Sequence, residues 1–314
     1  MNTVGQEIMQ SEYREGDVIG AYRVEGVVGS GGMGTVYRAR HALSERVVAL
    51  KVQKIDAQIN SRARERMLRE AQILATLPHA GVPRFHEVGL LDDDRPWIAM
   101  ELVDGTCLAT HLRNGRIEGA EAQAIVVAIA SVLADAHERG ITHRDLKPDN
   151  IYLTPTAAYP VRVLDWGIAL DQTNVRLTNH DEAIGTPTYM APEQARGGPT
   201  GGHCDVYALG VIAYHMLAGK PPFEGNTPIE ILLQHFNKQV PALAPRCPDV
   251  AYGLVDLVER MLAKRYELRP VAGEIDRELH RVARMSAPYD TYDLGDAVEA
   301  VSTEAVTTRI RLRG

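Results

Sequence analysis

At 314 residues with a net charge of −7 and a pI near 5.9, the chain can bury a large core in two lobes and lacks the basic surplus of a nucleic-acid binder. Three cysteines (Cys107, Cys204 and Cys247) show no metal-ligand spacing, so reduced thiols in a reducing compartment are expected. No run reaches the roughly 18 uncharged apolar residues of a membrane span. Residues 122–134 and 206–218 come nearest and read as buried core helices. Met1-Asn2-Thr3 opens neither a signal peptide nor a myristoylation site, which makes the cytoplasm the expected compartment.

Residues 1–19 have no convincing apolar period and are expected to be a flexible extension. From Tyr22 to about Lys54 the β-branched and aromatic residues Val27, Val28, Val36, Tyr37, Val47, Val48 and Val52 predict three strands. A helix follows over 61–77, stopped by Pro78. Two strands, 85–91 and 96–102, flank the turn Asp92-Asp93-Asp94. Beyond Gly105 the pattern is mainly helical, with predicted helices over 118–139, 202–219, 227–239, 252–263 and 273–285. Sheet first and helices second predicts an α+β chain of two lobes, about 20–103 and 104–285, with a hinge near Glu101–Gly105. Residues 286–314, rich in Thr and ending Arg309-Ile310-Arg311-Leu312-Arg313, are expected to be a flexible tail.

Chemistry concentrates in Ile141-Thr142-His143-Arg144-Asp145-Leu146-Lys147-Pro148-Asp149-Asn150, which sets a carboxylate, an ammonium and a carboxamide on one short turn stiffened by proline. After the run 161–164 comes Asp165-Trp166-Gly167. These groups suit phosphoryl transfer, in which one acid orients a hydroxyl while a second acid and an amide hold the metals that neutralise a triphosphate. Upstream lies Gly29-Ser30-Gly31-Gly32-Met33-Gly34-Thr35-Val36. Such a glycine pattern is weak evidence alone, since glycines also serve ordinary hairpins. A dinucleotide site would need a helix after it, and a P-loop a Lys-Ser/Thr pair. Here Thr35-Val36-Tyr37-Arg38-Ala39 continues as a strand, so a hairpin whose tip amides approach phosphates fits better. Lys51 ends Val48-Ala49-Leu50-Lys51. On the following helix, Ala63, Met67, Ile73, Leu74 and Leu77 share a face with Glu70 near its centre, while Glu65 points away. A carboxylate on an apolar stripe needs a partner, and Lys51 is the candidate.

Together these motifs resemble the eukaryotic-like serine/threonine protein kinases of bacteria, over roughly residues 20–285. The resemblance implies a bilobal fold, with an antiparallel N-lobe sheet plus one main helix and a mainly helical C-lobe. It also implies transfer of the ATP γ-phosphate to Ser/Thr hydroxyls of protein substrates, with Mg2+ or Mn2+. Asp145 would take the acceptor proton, Lys147 neutralise the transferring phosphate, and Glu70 hold Lys51 on the α- and β-phosphates. Asn150 and Asp165 would coordinate the metal. Val28, Gly29, Ser30, Gly31, Gly32, Met33, Gly34, Val36, Ala49, Lys51, Met100 (the gatekeeper), Glu101, Val103 and Tyr152 would line the nucleotide site. Leu74, Phe85, Trp166 and His143 would stack as a spine anchored on Asp205.

The segment from Asp165 to Glu193 resembles an activation loop closing on Ala191-Pro192-Glu193, with Glu193 paired to Arg269. Thr186 would join the acceptor site. Arg144 marks kinases controlled by loop phosphorylation, with Thr178 and then Thr173 as candidate phosphosites, unless Asp181 or Glu182 already fills the cationic pocket. The resemblance allows a homodimer through the N-lobe, which no residue demands. Two positions depart from the family pattern: Trp166 replaces the usual phenylalanine, and Tyr152 the usual aliphatic floor under adenine, predicting a crowded adenine pocket. Two alternatives stand beside the protein-kinase reading. A nucleotide-binding scaffold without turnover is hinted at only by those departures. A small-molecule kinase of the aminoglycoside-phosphotransferase type would lack the Ala-Pro-Glu motif and the helix bearing Asp205.

Overall fold

Two units divide the chain, one taking in the residues up to Ala75 with Pro83–Val103, the other Thr76–Val82 with the residues from Asp104 on. The structure, a computed structural model, describes residues 12–31, 34–54, 60–154, 157–166 and 187–285, without the side chains of 60–63 and 280–285.

In unit one, β1 (Val18–Ile19), β2 (Tyr22–Ser30), β3 (Gly34–His41), β4 (Val47–Gln53), α1 (Asn60–Thr76), β5 (Phe85–Leu90) and β6 (Pro96–Glu101) follow in chain order. The strands form one antiparallel sheet in the order β1-β2-β3-β4-β6-β5. Alternation along each strand splits the sheet's residues between two faces. One face supplies the core, where Tyr22, Val24, Tyr37, Ala39, Val48, Leu50, Val52, Trp97 and Ala99 cluster with Ile19. The other face carries Lys51, in register with Val36 and Ile98, and Ala49, in register with Met100.

The chain ahead of the sheet corrects the expectation of a flexible start as far as Glu12 to Ile19. The Arg95 guanidinium, 4% exposed, binds both Glu12 carboxylate oxygens, Asp93 (2.7 Å) and the Gln53 carbonyl (2.7 Å). Tyr13 sets its ring edge-on to Tyr37, centroids 5.8 Å apart. A buried guanidinium needs acceptors, and an upstream carboxylate supplies two. Residues 1–11 lie outside the described residues.

Unit two runs β7 (Thr106–Cys107), α2 (Leu108–Leu112), α3 (Gly119–Glu138), β8 (Ile151–Leu153), β9 (Val161–Val163), α4 (Pro192–Ala195), α5 (Gly202–Ala218), α6 (Pro228–Asn237), α7 (Tyr252–Met261) and α8 (Ala272–Met285). β7, β8 and β9 make a small antiparallel sheet. α3 is long and apolar enough to cross a bilayer, yet most of its Ala, Ile, Val and Leu side chains are buried and it packs with α5, α8 and β9, the arrangement of a core helix. α5 is apolar nearly all round, hence central, and ends at Gly219 in the left-handed conformation (φ 75°) that glycine adopts at low cost. α6 starts on Thr227, whose hydroxyl accepts from Glu230 N at 3.1 Å, with Pro228 in its first turn.

The stretch Thr76–Val82 belongs with this helical unit, which the strand and helix periods did not reveal. His79 Nε2 meets Ser131 Oγ at 3.3 Å, its ring stands edge-on to Tyr159, and Gly81 O accepts from Val163 N at 2.8 Å. A Cβ at Gly81 would fall 2.4 Å from Val132 Cγ2, so glycine is needed for this close approach.

Candidate active site

Within unit one, Lys51 lies on the sheet face opposite the core, and its Nζ binds both carboxylate oxygens of Glu70, at 3.0 and 2.8 Å. The two residues are 7% and 3% exposed. Glu70 reaches this position because Met67, Ala71 and Leu74 bury the same face of α1, while Glu65 faces solvent. Ile73 is half-buried, Leu77 is buried just past the helix, and the Ala63 side chain lies outside the described residues. A buried ion pair with two short charge-assisted bonds fixes the ammonium tightly.

Ala49 and Met100 are buried beside the pair, Val36 is half-buried, and Val28 is 54% exposed. The glycine hairpin closes through Gly31 N donating to Gly34 O at 2.9 Å, with Ser30 Oγ 3.4 Å from Thr35 Oγ1. Gly34 is required by packing, since a Cβ there would lie 2.6 Å from Val52 O. At Gly29 and Gly31 an added Cβ would meet nothing within 4 Å, so neighbouring atoms do not explain those two glycines. Gly32 and Met33 lie outside the described residues. At the end of β6, Glu101 exchanges bonds with Arg84, donating N–H to Arg84 O and accepting from Arg84 N at 3.0 Å, and Val103 is half-buried.

Unit two gathers its polar residues by clamping backbone. Asp205, on central α5 and 1% exposed, accepts from His143 N at 2.8 Å, Arg144 N at 2.7 Å and His137 Nε2 at 2.9 Å. These bonds hold Arg144 at φ 65°, a left-handed conformation costly for a residue with a Cβ. From that turn, Asp145 Oδ2 accepts from Lys147 Nζ at 2.7 Å. Pro148–Asn150 then makes one turn of 3-10 helix, and Asn150 Nδ2 donates to Asp145 O at 2.9 Å. That bond turns the amide so that its carbonyl oxygen is the atom left for a cation.

Asp165, the second left-handed residue at φ 58°, follows β9. The backbone before it is tied down by Leu164 N donating to Asn150 O at 2.8 Å and His143 Nε2 donating to Leu164 O at 2.9 Å. The His143 and Trp166 rings lie 4.8 Å apart within this unit, and Trp166 is fully buried. Leu74 is buried and Phe85 half-buried in unit one. The Asp165 carboxylate and the Asn150 carboxamide oxygen are hard donors of the kind that magnesium or manganese takes.

Tyr152 on β8 is half-buried. Burial, with the charges of Cys107, Asp165 and Asp149, pushes its phenol above the ordinary range. Glu193 and Arg269 pair at 2.6 and 2.9 Å, and the guanidinium also lies over the Tyr207 ring. Among the described residues, Arg144 Nε is buried without a hydrogen-bond partner, while Gln194 Nε2 donates to Arg144 O. Thr173, Thr178, Asp181, Glu182 and Thr186 lie outside the described residues. His137 and Gln194 escaped the sequence reading. A polar residue aimed at a distant carboxylate or backbone carbonyl has no local signature, and only the run Ala136-His137 before the Ile141–Asn150 motif pointed that way.

The protein kinase domain family matches residues 22–279. The chain belongs to this family. Among similar proteins, the probable serine/threonine-protein kinase PknB of Corynebacterium glutamicum is 35% identical over 277 residues, 84% of this chain and 42% of that protein. The serine/threonine-protein kinase PrkC of Bacillus subtilis is 33% identical over 255 residues, 80% of this chain and 39% of that protein. The chain therefore spans about two fifths of the length of these curated relatives. The crystal structure of the Mycobacterium tuberculosis PknI kinase domain superposes with a TM-score of 0.67 at 30% identity, over 86% of this chain and 99% of that one. The kinase resemblance read from the motifs is thus established for the bacterial serine/threonine branch, with the antiparallel sheet and helical unit that the family implies. Kinases of this family use ATP with Mg2+ or Mn2+ and act on protein substrates.

Proposed function

We propose that this kinase domain, over about residues 20–285, transfers the γ-phosphate of ATP to serine or threonine hydroxyls of proteins. The observation that carries the reading is the clamped constellation of unit two, where an acid, an ammonium and an amide are fixed on one turn. In this reading Asp145 orients the acceptor hydroxyl and takes its proton as the oxygen bonds to the γ-phosphorus. The bond from that phosphorus to the β–γ bridging oxygen breaks, and ADP leaves. Lys147, already on Asp145, is placed to offset charge on the transferring group. Asn150 and Asp165 would hold the magnesium, which when bound supplies charge neutralisation to the phosphates. Lys51, held by Glu70, would grip the α- and β-phosphates below the hairpin Gly29–Gly34, and Tyr152 would sit under adenine.

Arg144 supports control by loop phosphorylation: its buried Nε has no partner among the described residues, which suits an incoming phosphate on Thr178 or Thr173. Thr186 would contact Asp145 and Lys147. The cytoplasm fits three cysteines left as free thiols. The test is autophosphorylation of the purified protein with site mapping, beside Asp145→Asn. We expect the variant to lose about 10²- to 10⁴-fold in phosphotransfer with an unchanged melting temperature. A wild-type protein that binds magnesium and ATP without transferring phosphate would leave a scaffold instead.

A further inference from the structure

The turn carrying Asp165 differs from the family pattern at Trp166, and the difference adds a hydrogen bond. Trp166 is fully buried, and its indole Nε1 donates to Val163 O at 2.8 Å. The backbone groups of Val163 and Leu164 all have partners. Val163 N donates to Gly81 O and Leu164 N to Asn150 O, both at 2.8 Å, while Leu164 O accepts from His143 Nε2 at 2.9 Å. Residues 163 and 164 are thus pinned at four points, and two of the four partners are side chains whose rings touch at a tilt, His143 and Trp166. The next residue, Asp165, is held in a left-handed conformation that a side chain with a Cβ adopts at a cost. A phenylalanine at 166 would fill most of the ring space but offer nothing to Val163 O. A buried carbonyl that has lost its donor is unfavourable, so the N–H resists any rotation that carries the ring out of its seat.

We propose that Trp166 is a positioning residue. Its indole N–H locks the Val163–Trp166 turn and so aims the Asp165 carboxylate in the absence of nucleotide. The inference rests on the kinase reading for the role of Asp165, but the lock itself is a property of the fold.

The experiment uses the full chain. The protein has two tryptophans, so Trp97→Phe assigns the two indole signals in nitrogen-15 spectra. Without nucleotide, the Trp166 indole proton is expected to exchange about 100-fold more slowly than a free indole. For Trp166→Phe, the magnesium concentration giving half-maximal binding of a non-hydrolysable ATP analogue should rise about five- to tenfold. Its kcat at saturating magnesium should fall by a smaller factor. Rapid indole exchange in the wild type would overturn the lock. So would a Trp166→Phe protein that melts lower but keeps the wild-type magnesium requirement, because a purely structural tryptophan behaves that way. Should Trp166→Phe fail to fold, exchange in the wild type decides alone. Wild-type protein without phosphotransfer would strike the kinase reading while leaving both the exchange and the magnesium titration interpretable.

Discussion

In unit one a functional side chain is fixed directly by another side chain, whereas in unit two the functional side chains are fixed through the backbone that carries them. Lys51 and Glu70 hold each other with two short bonds, and ordinary strand and helix conformations suffice to bring them together. Asp145 and Asp165 instead follow or occupy left-handed positions, Arg144 and Asp165, that the local sequence does not favour. Those turns persist because Asp205 and His143 supply acceptors and donors from elsewhere in the unit. A side-chain pair tolerates small errors in its two supports, since both chains can swing. A clamped turn sets the direction of a carboxylate closely but fails as a whole when the clamp is lost.

Asp205→Ala probes that failure and should have the largest effect. It removes the acceptor of the buried His143 N–H, the partly buried Arg144 N–H and His137, so unfolding free energy should drop by about 4 kcal/mol. Phosphotransfer should fall at least about 100-fold in whatever protein remains folded. Urea unfolding followed by far-ultraviolet circular dichroism, with a phosphotransfer assay on the folded fraction, measures both. A stable, active Asp205→Ala protein would mean that the turns hold without the clamp.

Lys51→Met breaks the other kind of support and strands Glu70 in a buried place. About 3 kcal/mol of stability should go, with all detectable phosphotransfer. The sharper form is the double variant Lys51→Met, Glu70→Leu, which removes both charges. Its stability should return to within about 1 kcal/mol of wild type while activity stays absent. Activity regained by the double variant would take Lys51 out of the mechanism.

This contrast also explains what could be read in advance. Glu70 was legible because a carboxylate at the centre of an apolar helix stripe must have a partner, and Lys51 stood on the neighbouring strand. Strand and helix periods placed the main elements of both units within a few residues. The clamps were not legible in the same way. Asp205 came from family resemblance, and two of its donors are backbone amides, which nearly every residue possesses. The seat of Glu12 on Arg95 joins positions 83 apart, and neither residue is unusual in its own neighbourhood. Likewise the role of Gly81 depends on Val132 and Tyr159, which only the folded chain brings near.

A milder perturbation separates the units by pH. His235, on α6 and fully buried, touches Tyr207 Oη through Nδ1 at 2.8 Å and faces the Phe223 ring at 4.9 Å. Burial first, and then the Lys264 ammonium, pulls its pKa down from 6.5 to about 4. The folded form therefore binds this proton less readily than the unfolded chain does. Its contribution to stability is complete above pH 6.5 and drains away as the pH falls toward about 4. By pH 5 the loss from this residue alone is about 2 kcal/mol. His235→Gln, which does not titrate, should lose less stability than wild type between pH 7 and pH 5 by that amount. Hydrogen exchange should show the wild-type loosening around α6 and α5 in unit two, with β4 of unit one unaffected by the substitution. Equal acid sensitivity of the two proteins would place the loss on other groups and remove His235 as its source.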